Sequence, residues 1–189
     1  MLVPAFDLDN KAPAGQVRCW KPKVFHNFPG SDTDGNEHVF KVALYTTAAP
    51  TYFPSVDGYI DGGVFANNPS MCALAQCQDQ KIGAPPVLTD VRLLSLGTGI
   101  NRESIPGKSL DWGMAQWMPR IFDVMMDGSM DVDRYHCEQL LGERFRRYAP
   151  YLPAGKKVKL DGVKQLGWLN NWAQSLDLSE LERWVQQHW

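Results

Sequence analysis

The sequence predicts an α/β fold, in which helices pack against a mainly parallel central sheet, and three observations support that prediction. The run VRLLSLGTG is apolar and is closed by two glycines, as expected for a central strand buried on both faces of a parallel sheet. Short apolar runs alternate with helical patterns along the chain, which is typical of layered α/β proteins. The length of 189 residues, with 44% hydrophobic and 21% charged residues, fits one globular domain over residues 1–189.

The composition excludes several classes of function. A formal net charge of -2 supplies no large basic field, so we expect no nucleic-acid partner. No segment reaches the roughly 18 apolar residues that a membrane-spanning helix needs, and the N-terminus does not resemble a secretion signal, so we expect a cytoplasmic location. Neither the histidines nor the cysteines have metal-ligand spacing, and we therefore expect no metal, no cofactor and four free thiols, at Cys19, Cys72, Cys77 and Cys137.

The first elements are short strands. Residues Val3 to Leu8 and Val24 to His26 have the apolar character of strands, each followed by turn residues.

The next stretch, FPGSDTDGNEH, resembles the middle of a calcium-binding loop. The comparison fails because Gly35 at the obligatory sixth position places Lys41 at the twelfth, where a carboxylate is needed. We therefore predict a solvated turn.

A helix is predicted from Glu37 to Ala49, and Pro50 ends it. Its apolar face is predicted to comprise Val39, Phe40, Ala43, Leu44 and Thr47. The segment from Tyr52 to Ile60 is short and aromatic and is broken by Asp57-Gly58, which predicts two brief strands around a tight turn. Asp61 then lies at the end of the second strand.

Helix signals also follow this region. Asn68 is a good N-cap and Pro69 a good first residue for a helix that runs toward Gln80 and ends near Gly83. A second helical stretch, from about Asp111 to Leu141, is predicted to be interrupted at Pro119 and at Asp127-Gly128. It contains a cluster of large apolar residues that we expect to pack in the core, with lipid contact as the alternative, at Trp112, Trp117, Met114, Met118, Met125 and Met126.

The C-terminal part is predicted to hold one strand and one helix. Glu143 to Tyr148 alternates polar and apolar residues in part and predicts an edge strand, followed by a lysine-rich surface loop. Asp177 and Glu180 form a capping pair for an amphipathic helix with Leu178, Leu181, Trp184 and Val185 on its apolar side.

Asp61 is the residue of greatest chemical interest, and its sequence context permits two interpretations. It is either a turn residue that accepts hydrogen bonds from nearby backbone N–H groups, as Asp57 is expected to be, or a catalytic base. As a base it would use the adjacent glycines to let the backbone pass close to a substrate, and an apolar neighbourhood would raise its pKa. Spacing by itself does not decide between these roles.

A longer motif bears on that choice. The stretch TTAAPTYFPSVDGYIDGGVFANNPSMCALAQ, followed after a gap by LLSLGTG, resembles the second half of the patatin-like phospholipase family. The matching parts are the small-residue helix end Thr47-Ala48-Ala49-Pro50, the segment Tyr52-Phe53-Pro54, the motif Asp61-Gly62-Gly63 and the helix start Asn67-Asn68-Pro69. The resemblance covers most of the chain and weakens beyond about Tyr148. It implies a partial patatin-like fold of three layers, α/β/α.

The resemblance also implies an activity. Members of this family are serine lipid acyl hydrolases in which a Ser on a sharp strand-to-helix turn attacks the ester carbonyl, an Asp takes its proton directly, and a glycine-rich loop holds the oxyanion. Asp61 corresponds to that Asp, and Gly62, Gly63, Asn67 and Asn68 to the backbone around it. The implied substrate is a lipid or another acyl ester.

The nucleophile is where the sequence departs from the family pattern. A nucleophile elbow needs G-x-S-x-G, but the one pair of glycines four apart is Gly58 and Gly62, with Ile60 midway. No Gly-Gly-Gly oxyanion loop is found either. As substitutes, Ser95 is expected to be a buried hydroxyl in a strand, and Ser70 to serve the first turn of a helix. The sequence therefore offers no nucleophile.

Two functions follow as expectations. The chain is interpreted as the Asp-bearing portion of a patatin-like lipase that begins in mid-domain, is inactive alone and requires an N-terminal partner fragment to supply the serine. The alternative is a non-catalytic lipid- or protein-binding regulatory domain, with peripheral membrane contact through Trp112 or Trp117.

Overall fold

The computed structural model describes residues 1–101, 103–105, 107 and 111–189, and its elements form a mixed α/β structure. The strands of this part of the chain are β1 (Leu2–Asp7), β2 (Lys21–His26), β3 (Tyr59–Asp61), β4 (Leu93–Leu96) and β5 (Phe145–Tyr148). The helices are α1 (Val39–Thr46), α2 (Gly63–Ala66), α3 (Ser70–Cys77), α4 (Met114–Trp117), α5 (Ile121–Leu141), α6 (Leu166–Gln174) and α7 (Ser179–His188). Short 3-10 turns lie at Gln80–Ile82, Leu88–Asp90, Gly142–Arg144 and Val163–Gln165.

The strands form two sheets, and the predicted α/β class is confirmed. Strands β4 and β5 pair in parallel, with Leu93 opposite Phe145. The other sheet has the order β2-β1-β3 and is antiparallel, with β1 at its centre and Ala5 opposite Asp61. In β4, Ser95 is buried but Leu96 is 66% exposed. The expectation that this strand is buried on both faces is therefore wrong at its C-terminal end.

Two clusters of buried hydrophobic side chains are found among the described residues. The first joins the antiparallel sheet to α1 and consists of Ala5, Phe25, Val42 and Tyr45. The second joins α3 and α5 to the parallel sheet and consists of Leu74, Cys137, Leu141 and Phe145. Helix α2, which follows Asp61, connects the regions of these two clusters, since it packs against both β1 and α5.

Helix α1 is found where the sequence predicts it, but its buried face is a different one. Val42 and Tyr45 are buried, and the Tyr45 ring contacts the rings of Phe25 and Tyr59. The predicted apolar face is exposed instead, at 65% for Val39, 62% for Phe40 and 50% for Leu44. Packing of the Tyr45 ring against the aromatic rings of the sheet determines which face of α1 is buried. The apolar side chains on its other face are left exposed to solvent.

The segment before Asp61 is a tight hairpin. Val56 and Tyr59 form an antiparallel bridge around Asp57 and Gly58, whose φ angles of 51° and 90° are both left-handed. Such a two-residue turn fits the right-handed twist of the strands that it joins. The predicted tight turn is confirmed, although its first strand is reduced to a single bridge.

The long helical stretch contains one break rather than two. A turn at Pro119 separates α4 from α5, as predicted, whereas α5 continues through Asp127-Gly128 for 21 residues. The predicted break at that pair is wrong because an internal glycine costs a helix only about 1 kcal/mol. Packing of α5 against α2, α3 and β5 outweighs that cost.

Three features differ from expectation in the C-terminal half. Three of the four methionines predicted to lie in the core are exposed, at 77% for Met114, 65% for Met118 and 62% for Met125, whereas Met126 and the two tryptophans of that cluster are half-buried. Helix α6 was not predicted. The helix predicted at the C-terminus is present as α7, where Asp177 accepts hydrogen bonds from Ser179, but Glu180 pairs with Arg146 and does not complete a capping box.

Candidate active site around Asp61

Asp61 occupies the position that the sequence predicts, as the last residue of β3. Its backbone is fixed from two sides, by pairing with Ala5 of β1 and by an N–H that donates to the Ala48 carbonyl at 3.1 Å. The end of α1 and the central strand of the sheet therefore set where the carboxylate lies.

The carboxylate of Asp61 is half-buried and has one hydrogen-bond donor. The Gly63 N–H donates to Oδ1 at 2.7 Å, and Oδ2 accepts no hydrogen bond from the described residues. No Lys, Arg or His among those residues forms an ion pair with it. Burial raises the pKa of Asp61, and the Gly63 N–H opposes that rise in part. A carboxylate with a raised pKa and a free oxygen is suited to accept a proton.

The two glycines after Asp61 are explained by close approach. A Cβ on Gly62 would lie 2.3 Å from the carbonyl carbon and oxygen of Pro4 in β1, and a Cβ on Gly63 would lie 2.6 Å from the Met126 methyl group. The sequence suggests that these glycines admit a substrate. In this structure Gly62 instead lets the chain cross the backbone of β1, and Met126 of α5 fills the space beside Gly63.

The two asparagines of the motif have different environments. Asn67 is exposed, whereas Asn68 is 1% exposed. The Asn68 amide donates through Nδ2 to the Met130 carbonyl at 3.3 Å, and its Oδ1 accepts from the Ser70 N–H and hydroxyl at 3.3 and 2.5 Å. Asn68 thus bonds the first turn of α3, as predicted, but the helix begins at Ser70, so that its N-cap is Pro69 rather than Asn68.

A buried polar network extends from Asn68 to the parallel sheet. The Ser70 and Ser95 hydroxyls are hydrogen-bonded to each other, with their oxygens 2.7 Å apart, and Arg147 Nη1 donates to Ser95 Oγ at 2.6 Å. Arg147 lies on β5, and burial lowers the pKa of its guanidinium. Sequence reasoning did not single out Arg147. The available signal was a charged residue within a strand that flanks the core.

Neither serine considered as a substitute nucleophile is available for attack, as the sequence predicts. Ser70 and Ser95 are 6% and 7% exposed, and their hydroxyls bond to each other and to Asn68 Oδ1. Within the described residues no hydroxyl donates to the Asp61 carboxylate. A Ser-Asp pair is therefore not formed by this part of the chain, and the catalytic role of Asp61 stays a prediction.

A cavity of about 560 Å³ lies further along α5 from Met126. Its lining includes Asp127, Met130 and Asn101. Burial raises the pKa of Asp127, and the neighbouring carboxylates Asp123 and Glu103 add to the rise. Among the residues that the structure describes, no group of three or more His, Cys, Asp or Glu side chains is arranged to hold a metal ion, and no helix could cross a membrane.

Comparison with known proteins finds relatives that include a phospholipase and a patatin-like protein. A cGAMP-activated phospholipase of Vibrio cholerae is 32% identical over 168 residues, which cover 79% of this chain and 44% of the relative. Patatin-like protein 3 of Arabidopsis thaliana is 28% identical over 143 residues, covering 62% of this chain and 31% of the relative. Protein teg of Priestia megaterium is 26% identical across the whole chain.

The chain is shorter than these relatives, since it spans 64% of the length of protein teg and less than half of the other two. No family model matches the sequence.

Proposed function

Because this chain belongs to the patatin-like phospholipase family, we propose that it supplies Asp61 as the general base of a serine lipid acyl hydrolase. The observation that carries the proposal is the geometry of one carboxylate. Its Oδ1 is fixed by the Gly63 N–H, its Oδ2 is unbonded within the described residues, and burial raises its pKa. The Gly63 bond is one that a turn residue also makes, and it is the unbonded oxygen and the raised pKa that support a role in proton transfer.

The proposed reaction uses Asp61 twice. As a serine Oγ attacks the ester carbonyl carbon, Asp61 accepts the hydroxyl proton and then delivers it to the leaving alcohol, which leaves an acyl-serine. In the second half, Asp61 accepts a proton from water as the water attacks the acyl carbon. The fatty acid leaves, and the proton returns to the serine oxygen. The substrate is a lipid or another acyl ester.

The serine is proposed to come from a polypeptide segment other than this sequence. The sequence contains no G-x-S-x-G, and Ser70 and Ser95 are committed to the buried network. Removing a nucleophile lowers enzyme turnover by several orders of magnitude. By itself the chain is therefore proposed to hydrolyse esters negligibly, and an N-terminal partner fragment to complete the site.

The test combines complementation with a matched pair of substitutions. The chain is assayed with a short-chain nitrophenyl ester, alone and mixed with a patatin-like fragment that bears the G-x-S-x-G elbow. We expect turnover in the mixture alone, a loss of about 10²- to 10⁴-fold with Asp61→Asn, and no comparable loss with Asp57→Asn. Complemented turnover that is indifferent to Asp61→Asn contradicts the proposal, as does turnover by the isolated chain that this substitution abolishes.

A cytoplasmic location is part of the same proposal. All four cysteines are free thiols, which supports a reducing compartment. Redox-state labelling of the protein in its native cells tests this, and disulfide-linked species would contradict it.

A second candidate function is a non-catalytic lipid- or protein-binding domain. The exposed methionines Met114, Met118 and Met125 support it, because flexible apolar side chains at a surface suit adaptable contacts. Flotation with vesicles tests the lipid version, and binding that is lost with Met118→Ser and Met125→Ser is the expected result. Equal binding by that variant contradicts it.

A further inference from the structure

A surface distant in sequence from Asp61 combines positive charge with exposed apolar side chains. It is formed by residues 156–168, which run from the loop after β5 into the start of α6, and we name it the 156–168 surface. The segment contains four lysines and one acidic residue, Asp161. It also holds three of the more exposed aliphatic side chains of the molecule, at 68% for Leu160, 72% for Val163 and 59% for Leu166.

The aliphatic side chains are arranged on consecutive short turns. Val163 begins a 3-10 turn that leads directly into α6 at Leu166, and side chains three residues apart in a 3-10 turn lie on the same side. Leu160 lies in the tight turn just before, where the Gly162 N–H donates to the Lys159 carbonyl at 3.0 Å. The segment therefore presents apolar groups within a short length of chain.

The lysines leave this surface positive after their own pairing is counted. Lys157 pairs with Glu103, and Lys156 lies over the Trp168 ring at 5.6 Å from its centroid. Lys159 and Lys164 form no ion pair with any residue that the structure describes. Four lysines less the paired Lys157 and less Asp161 give a net charge of about +2 for the segment.

The 156–168 surface is held on the fold. Asn101, just after β4, bonds the backbone of Val158 in both directions, by Nδ2 to the carbonyl at 3.3 Å and from the N–H to Oδ1 at 3.2 Å. The Gln165 amide donates to the Lys157 carbonyl at 2.8 Å. These bonds hold the lysines and the aliphatic groups in place together. A partner that binds them therefore does not incur the entropy cost of ordering a free loop.

We propose that the 156–168 surface docks on an anionic lipid bilayer. Phosphate-bearing head groups attract the free lysines, and the aliphatic side chains can enter the boundary between head groups and acyl chains. Trp168 is half-buried, with Lys156 over its ring. Tryptophan is a residue type that favours the boundary between head groups and acyl chains. The combination of positive charge and exposed aliphatic groups favours a lipid surface over a purely polar partner. The inference adds to the proposed lipid hydrolase a means of reaching its substrate.

The experiment measures binding and not hydrolysis, so its outcome is independent of Asp61. The protein is sedimented with vesicles of phosphatidylcholine, with and without phosphatidylglycerol. We expect stronger binding to the anionic vesicles, which weakens as salt is raised. Lys159→Gln with Lys164→Gln should lower the partition coefficient by about 25-fold, at about fivefold for each lysine. Leu160→Ser with Val163→Ser should lower it by about tenfold or more.

Matched controls separate this surface from others. Lys11→Gln with Lys21→Gln removes the same net charge elsewhere and should change binding less than threefold. Asp61→Asn should leave binding unchanged, so that failure of the catalytic proposal does not affect this result. All the changed side chains except that of Asp61 are exposed, and urea unfolding checks that each variant is folded.

Three results would overturn the inference. One is equal binding to neutral and anionic vesicles, or none to either. Another is equal loss in the Lys11/Lys21 and Lys159/Lys164 variants, which would indicate a net-charge effect alone. The third is binding that is lost with Met118→Ser and Met125→Ser but retained by the Lys159/Lys164 variant, which would assign the lipid contact to the methionine surface.

Discussion

Two Asp-Gly steps four residues apart show how the environment of a carboxylate sets its chemistry. Asp57 accepts hydrogen bonds from the Tyr45 hydroxyl at 2.8 Å and from Lys41 at 3.4 Å, and these donors lower its pKa. Burial, followed by the bond to Asp57, raises the pKa of Tyr45 to about 12. Among the described residues, Asp61 has one backbone donor and no paired cation, and its burial raises its pKa. The same Asp-Gly dipeptide therefore gives a carboxylate that stabilises the turn at Asp57 and a candidate general base at Asp61.

This contrast predicts opposite pH dependences of stability for Asp61→Asn and Asp57→Asn. The folded pKa of Asp61 lies above its ordinary value of 3.8, so the folded state binds the additional proton and the wild type loses stability as pH rises from 3.8 through the folded pKa. Asp61→Asn avoids that loss and should be the more stable protein at neutral pH. It should give no such advantage below pH 3.8.

For Asp57 the sign is reversed. Its folded pKa lies below 3.8, so its ionised form stabilises the wild type at neutral pH, and that contribution is lost as pH falls through the folded pKa. Asp57→Asn should therefore be less stable than the wild type at neutral pH. Urea unfolding across pH 3 to 7 measures both variants, and two profiles of the same sign would contradict the assignment of the two environments.

At the scale of the elements, the buried network joins the start of α3 to the paired strands β4 and β5. Asn68 follows α2, Ser70 begins α3, Ser95 lies in β4 and Arg147 in β5. Because α2 follows Asp61 directly, the network connects the candidate base to the parallel sheet. Removing one member of a satisfied buried network leaves the others without partners.

Asn68→Ala should consequently destabilise the protein by about 2–3 kcal/mol, since the Met130 carbonyl and two serine hydroxyls lose a partner. Asn67→Ala is the matched control, because Asn67 is exposed, and this change should alter stability by less than about 0.5 kcal/mol. Urea denaturation compares them. Equal effects would show that the network does not stabilise the fold.

Helix α5 supplies a second test at this scale, because it contains one glycine and ends at another. A Cβ at Gly128 would meet nothing within 4 Å, so Gly128→Ala should stabilise the protein by about 0.5–1 kcal/mol. Gly142 follows the helix with φ of 56°, a conformation that alanine adopts poorly, and Gly142→Ala should destabilise by about 1 kcal/mol. Thermal unfolding measures both. A destabilised Gly128→Ala variant would contradict a continuous helix at Asp127-Gly128.

On the scale of the whole molecule, apolar surface outside the two cores is extensive. Helix α1 exposes Phe40 and Leu44 on the face away from Val42 and Tyr45, and Phe53, later in the chain, is 54% exposed. Exposed apolar groups of this kind favour association. We therefore expect the isolated chain to self-associate as its concentration rises.

Phe40→Ser with Leu44→Ser should reduce that association and leave the free energy of unfolding within about 0.5 kcal/mol, because both side chains are already solvated. Val87→Ser, at a separate exposed position, is the control and should leave the mass distribution unchanged. Size-exclusion chromatography with light scattering makes the measurement. A monomer at all concentrations in the unaltered chain would contradict the expectation.

Local patterns predicted much of this molecule. The first two strands, the turn at Asp57-Gly58, the position of Asp61 at a strand end and the bond from Asn68 to the first turn of α3 all follow from short-range chemistry. Turn and cap preferences depend on a few neighbouring residues, so the sequence contains them directly. The family resemblance likewise rests on contiguous motifs, and the relatives support it.

Only the tertiary structure decided which apolar faces are buried and what the carboxylates touch. Helix α1 is apolar on two sides, and contact with Phe25 and Tyr59 selects the side of Tyr45. Gly62 is required by the backbone of Pro4, nearly sixty residues earlier in the chain, and Arg147 reaches Ser95 on the neighbouring strand, about fifty residues away in sequence. Burial and hydrogen bonding between distant segments depend on how the whole chain packs, and no local pattern contains that information.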